Sequence, residues 1–187
     1  MQKTGAGLPD IEDPIVDLFV AETAAQLSWT WYLLGDELDA ASSFIGPRLH
    51  HEDDRQVLTP CLEREPFNWM GFHGNPVNNW NPWINSNWLT ALLLMEPDSA
   101  RRAAGVWKSL RSIDYFIKGY PADGGCDEGP GYWGRAGASL YDWLELMDLG
   151  TDGQFNVFEE SLVQEMGRFI CRAYIADGWG INFADAG

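Results

Sequence analysis

The sequence has 187 residues, a length that fits one domain, and 45% apolar against 21% charged residues opens the way to a sizeable core and excludes a disordered chain. Its formal net charge of −16 argues against nucleic-acid binding, where Lys and Arg must neutralise phosphates. The same charge repels polyanions at long range, so an acidic sugar polymer would need locally placed cations or screening by salt.

The N-terminal MQKTGAGLPDIEDP has no apolar stretch of signal-peptide length, and no apolar run reaches the ~18 residues of a membrane span. Ile15, Leu18 and Phe19 at i, i+3 and i+4, with Pro14 ahead of them, predict a helix over 15–34 that Gly35 ends. A second, more polar helix is predicted over 38–62, interrupted near Gly46-Pro47. It contains the run His50-His51-Glu52-Asp53-Asp54. Adjacent helical residues point about 100° apart and rarely share one ion, so the run reads as a solvated helix face and not a metal site.

The stretch 68–87 holds seven Asn, three Trp and two Pro, and reads as a loop with turns that enters a helix near Trp88. An ordered loop of that length is more often functional than accidental. A short apolar helix follows over 88–95. Glu96-Pro97 breaks it, and Asp98 caps the next helix, where Val106, Leu110, Ile113 and Ile117 form a stripe. Gly119-Tyr120-Pro121 ends that helix, and 122–137 is a second glycine-rich loop. Leu140, Trp143, Leu144 and Met147 mark another helix, and 150–153 is a turn. Phe158, Leu162, Met166, Phe169 and Ala173 mark the last helix before Gly178. No strand alternation of useful length appears, and the closing GWGINFADAG reads as an unfinished loop. Both ends read as cut. The expected fold is all-α, built from antiparallel helical hairpins, with the two long loops on one face.

Ten tryptophans are many for this length; core packing accounts for about half, and stacking on flat ligands such as sugar rings is the alternative for the rest. Cys61, Cys126 and Cys171 are odd in number without CxxC spacing, which argues against a disulfide framework or a structural zinc.

Two constellations carry chemistry. The first is His73 with Asn78, Asn79, Trp80, Asn81, Trp83, Asn85 and Asn87. Amides supply donors and acceptors for sugar hydroxyls and a carboxyl group, and indoles supply stacking area. Any one Asn is better read as capping a turn or helix start, and the NNWNPWINSNW cluster as a whole as ligand contact. The second is Asp123, Asp127, Glu128, Tyr132, Trp133 and Arg135, set among glycines that permit close backbone approach. Its carboxylates could be the acid and base of a glycosidase, or Tyr132 could transfer protons while the carboxylates position the loop. Carboxylates that merely cap the next helix are the bland alternative.

ADGGCDEGPGYWGRAG resembles the DG-x-x-x-EG-P-x-YW segment of the heparinase II/III-like polysaccharide lyases, and VNNWNPWINSNWL resembles the Asn-containing substrate loop of that family. The resemblance implies an incomplete (α/α) toroid over residues 1–187, without the family's C-terminal β-sandwich. It implies β-elimination on a uronic-acid-containing polysaccharide, with no cofactor. Asn79 would neutralise the substrate carboxylate, Tyr132 would be the base or acid, and Glu128 would hold the loop or share a proton. His73, Asn78, Trp80, Asn81, Trp83, Asn87, Asp127, Trp133 and Arg135 would line the substrate. A free Tyr titrates near ~10, so Tyr132 needs a positive neighbour, Arg135 or His73. The chain departs from the family pattern at Trp80, where many relatives carry His, and at Arg135, where many carry a second Tyr. A glycoside hydrolase using two of Asp123, Asp127 and Glu128, and a non-catalytic carbohydrate-binding fragment, are the alternatives. The sequence does not fix a cellular location.

Overall fold

The computed structural model describes Asp10 and residues 13–185. Helix accounts for 66% of it, and the described residues are all-α apart from one small hairpin. The chain divides into two compact units: unit 1 from Met1–Phe67 and Asn87–Arg111, unit 2 from Asn68–Ser86 and Ser112–Gly187.

Unit 1 begins with α1, Leu18–Ala41. Its start lies after the expected Ile15 because Asp17 is the cap, its carboxylate accepting from the Val20 N–H at 2.9 Å. Gly35 does not end the helix. It keeps right-handed geometry, so the chain carries on; the expected break is nonetheless present as a kink at Leu34 (φ −127°, ψ 17°), where two helical segments meet, and the second stops where Ser42 turns extended. The buried face is small, Ala21, Ala24, Ala25 and Ser28, while Phe19, Tyr32 and Leu33 stand exposed. Small residues let the chain behind α1 approach closely.

That chain is α2, Ile45–Asp53, a π-helical turn, Asp54–Leu58, and α3, Thr59–Glu63. Gly46-Pro47 is not the interruption: the break falls at 42–44, and both residues sit in the first turn of α2, where a missing N–H is harmless. A Cβ at Gly46 would overlap the outer edge of the Trp31 indole, so glycine lets that ring lie against the first turn of α2. The His-His-Glu-Asp-Asp run is not uniformly solvated either. His51 is exposed, His50 packs edge-on against Trp31, and Asp53 is turned inward.

Helix α4, Trp80–Met95, belongs to unit 1 from Asn87 onward, and α5, Ser99–Gly119, as far as Arg111. Asp98 caps α5 as expected, accepting from the N–H groups of Ala100 and Arg101 at 2.8 and 2.9 Å. Lys108 donates to the carbonyls of Leu62 and Arg64, oxygens that the end of α3 leaves open. Arg101 joins the buried Glu96 to Asp54, at 2.7 and 2.6 Å.

Unit 2 contains the start of α4, the end of α5, the single turn α6 (Pro130–Trp133), α7 (Gly137–Gly150) and α8 (Ser161–Ala173). Leu140, Trp143, Leu144 and Met147 are buried on α7 as the pattern predicts, with Val163 and Met166 of α8. Strands Tyr174–Ala176 and Trp179–Gly180 then form a hairpin that the sequence reading missed. Asp177 (φ 52°) and Gly178 (φ 83°) make its turn; Asp-Gly is a strong hairpin signal, hidden here by the shortness of the strands. Among the described residues no helix is long and apolar enough to cross a membrane.

Candidate functional site

The Asn-rich segment is half loop and half helix. Gly71 and Gly74 take positive φ, and residues 71–79 stay irregular; α4 begins at Trp80, not near Trp88. The Asn residues start that helix themselves. The Asn78 amide oxygen accepts from the Trp80 N–H at 3.2 Å, and the Asn78 and Asn79 carbonyls accept from Asn81 and Trp83. Pro82 causes no break because it lies in the first turn.

Helical spacing then sorts the side chains. Asn81 and Asn85 turn inward and are fully buried. The Asn81 amide donates to the Trp69 carbonyl at 2.8 Å and to Ser112 Oγ at 3.1 Å. Asn85 donates to the Asn81 carbonyl and to the same Ser112 Oγ, at 2.8 and 2.9 Å, and Ser112 donates to Met70 O at 3.0 Å. Asn81, expected on the substrate surface, is thus an internal tie between the turn 68–70, α4 and α5 through its amide nitrogen, while its amide oxygen is buried without a partner among the described residues. Asn79 is 4% exposed, and its side chain makes no hydrogen bond to a described residue. His73, Asn78 and Trp80 are exposed, and Trp83 is half-buried. Asn87 is half-buried and falls in unit 1, outside the arrangement of unit 2.

The second loop is built on glycine. Gly124 has φ 75°, and a Cβ there would run into the backbone of Glu165 in α8. The Asp123 carboxylate accepts from the Gly125 N–H at 3.0 Å, closing the turn. Gly129, at φ 95°, leads into Pro130 at the start of α6. Trp133 is fixed as structure: its indole N–H donates to the Met166 carbonyl at 2.9 Å, and its ring lies beside Tyr141. Tyr132, on the other side of the turn, is 37% exposed, and its hydroxyl has no partner among the described residues.

Arg135 brings the two segments together. Its guanidinium lies 4.1 Å from the centre of the Trp83 ring, a cation–π contact. Trp83 is one helical turn from Asn79, whose carbonyl accepts its N–H, and Arg135 is one turn from Tyr132 by the same kind of bond. The amide-and-indole segment and the phenol-bearing turn are therefore neighbours within unit 2.

The carboxylates form their own group. Asp127 is exposed, and Glu128 is half-buried. Burial, then the charges of Asp127 and Asp185, push the Glu128 carboxyl above its ordinary range. Asp185 arrives from the distant C-terminal segment, its N–H donating to the Glu128 carbonyl at 3.1 Å. Nothing in the sequence pairs these two, and Tyr141, which donates to the Val163 carbonyl and stacks on Phe158, carried no signal beyond its place on α7. Among the described residues no three His, Cys, Asp or Glu side chains are grouped so as to hold a metal ion.

The arrangement offers a stacking surface, one cation, one open phenol and an acid with a raised affinity for protons. No family model matches the chain, and no match to a curated protein reaches significance.

Proposed function

We propose that this chain is part of a polysaccharide lyase that cleaves a uronic-acid-containing polymer by β-elimination, on an incomplete (α/α) toroid. The observation that carries this reading is the Arg135 guanidinium stacked on Trp83. It sets a fixed positive charge between the segment of Asn79 and the turn of Tyr132. A uronate carboxylate meeting Arg135 loses much of its negative charge, which acidifies the adjoining C5–H. The Tyr132 phenolate takes that proton, electrons from the C–H bond form the C4–C5 double bond, and the C4–O bond breaks. Tyr132 returns the proton to the leaving oxygen, so no co-reactant is consumed. The Asn79 amide, without an internal partner, can donate to the carboxylate. Trp80 and Trp83 supply stacking area, and His73, Asn78 and Asp127 are exposed for flanking hydroxyls. Glu128 and Trp133 hold the loop.

The test is to present the full protein with glycosaminoglycans, alginate and related uronate polymers and to follow the ultraviolet absorbance of the unsaturated product. Tyr132→Phe should lower the rate by about 10²–10⁴-fold while leaving the thermal midpoint unchanged. A variant as active as the parent removes Tyr132 from the chemistry, and no unsaturated product from any such polymer defeats the reading.

One observation favours a second reading. Glu128, raised by burial and by Asp127 and Asp185, has the character of a general acid and stands among further carboxylates, as a glycoside hydrolase requires. New reducing ends without unsaturation, lost in Glu128→Gln, would select it.

A further inference from the structure

Unit 1 holds a cavity of about 240 Å³ between α1 and the segment that passes from α2 into the π-helical turn. Phe19, Val20, Leu27 and Val57 give it apolar walls, and Glu52 and Asp53 are the two acids among its lining residues. Asp53 is 3% exposed, so its carboxyl is nine-tenths withdrawn from water yet opens on the cavity. Its Oδ2 lies 3.1 Å from the Ser28 hydroxyl, and its Oδ1 has no hydrogen bond to a described residue. No Lys, Arg or His acts on it; burial and Ser28 are its only influences. Arg55, two residues on, is paired with Glu52 at 2.7 Å, and Gln56 donates to the same Glu52 oxygen at 2.8 Å. A buried carboxylate without a counter-ion is costly, and it is complementary to a cation brought in from outside. The break in helical register directly after Asp53 is a second, independent sign, since π-helical turns inside α-helices occur frequently at functional sites.

We propose that this cavity binds a small primary ammonium compound with a short apolar tail, its nitrogen on Asp53 Oδ1 and its tail along Phe19, Leu27 and Val57. The donor set selects that chemistry. A guanidinium is best held by both oxygens of a carboxylate, and one of these is occupied by Ser28. A divalent cation needs several oxygen ligands, and among the described residues no three His, Cys, Asp or Glu side chains are grouped to supply them. A compact ammonium needs one accessible oxygen. The cavity equals roughly eight waters of liquid volume, room for a few carbons and not for a sugar ring with its neighbours. The net charge of −16 draws cations toward the chain. No residue of this site belongs to the unit 2 arrangement, so either can fail without the other.

The experiment is a titration of the full chain with n-butylammonium chloride at neutral pH, read by calorimetry and by the side-chain amide signals of Gln56, with 1-butanol as the neutral probe. The amine should bind saturably and shift the Gln56 signals, and 1-butanol should bind about tenfold more weakly or worse. Asp53→Asn keeps the shape and removes the charge, and should weaken the amine by about tenfold or more without changing its response to the alcohol. Equal binding of amine and alcohol makes the cavity an apolar cleft only and overturns the proposal. So does amine binding that Asp53→Asn leaves intact, or the absence of saturable amine binding.

Discussion

Ser28 has one hydroxyl proton and two oxygens near it, the Ala24 carbonyl at 2.7 Å and Asp53 Oδ2 at 3.1 Å. A proton given to Asp53 favours the carboxylate; given to the nearer Ala24, it leaves the carboxyl to supply its own. Burial acts in the second direction and is the larger effect, pushing Asp53 up to about 6 from 3.8. The folded chain therefore holds this proton more tightly than the unfolded chain. The cost of ionising Asp53 is absent below about pH 4 and complete above about pH 6. Asp53→Asn removes that cost and can still donate to Ser28. We expect the variant to be more stable by about 1–3 kcal/mol near pH 8, with the gain fading toward pH 4, as read from urea midpoints across the range. A variant less stable than the parent near pH 8 would show that the charge is compensated in the fold. Gly124 is the other single residue on which much depends. With φ 75° and the Glu165 backbone against it, Gly124→Ala meets both strain and overlap, and a loss of about 2–4 kcal/mol is expected in denaturant unfolding. An unchanged midpoint would mean that the loop moves away from α8 at little cost.

At the scale of elements, Ser112 ties three pieces of backbone. Its hydroxyl donates to Met70 O and accepts from the amides of Asn81 and Asn85, so one oxygen fixes the turn 68–70 and the first turns of α4 against α5. Ser112→Ala leaves the Met70 carbonyl without this donor in a dry interior and takes one acceptor from the Asn81 and Asn85 amides, which keep the Trp69, Ser112 and Asn81 carbonyls. The expected loss is about 1–3 kcal/mol, together with faster hydrogen exchange at the Asn81 N–H. Stability equal to the parent would place a water in the gap. The same tie explains why Trp83 and not Asn81 faces outward: on a helix, fixing one position fixes the direction of its neighbours. The inner face of α5 follows a related logic. Gly105, Ser109 and Ser112 are buried there, and Val106, Leu110 and Ile117 of the predicted stripe are only half-buried. A Cβ at position 105 would meet Leu92 at 2.6 Å, so close approach favours glycine there, while the large Ile113 and Phe116 are buried further along the helix.

At the scale of the whole molecule, charge dominates. With 28 acidic against 12 basic residues, long-range repulsion opposes any polyanionic substrate, while Arg135 attracts it only at short range. Salt screens the first more than the second. Under the lyase reading, KM for a uronate polymer should fall as ionic strength rises from about 10 to about 150 mM, a trend measurable in initial rates. A KM that rises throughout this range would mean that local cations, and not the net charge, govern the encounter.

The sequence by itself determined the all-α class, the Asp98 cap and the buried stripe of α7, because these rest on local chemistry and on a period of 3.6 residues. It also marked the two segments that meet at Trp83 and Arg135, through their amide, indole and glycine content. The tertiary structure decided which members of each segment face outward. Asn81 went to a buried tie, Asp53 left the solvated face for a cavity wall, and Asp185 came to Glu128 from the far end of the chain. Composition and spacing along one helix do not say which partner will satisfy a polar group. That depends on what a second element places opposite it, and those partners lie far away in the chain.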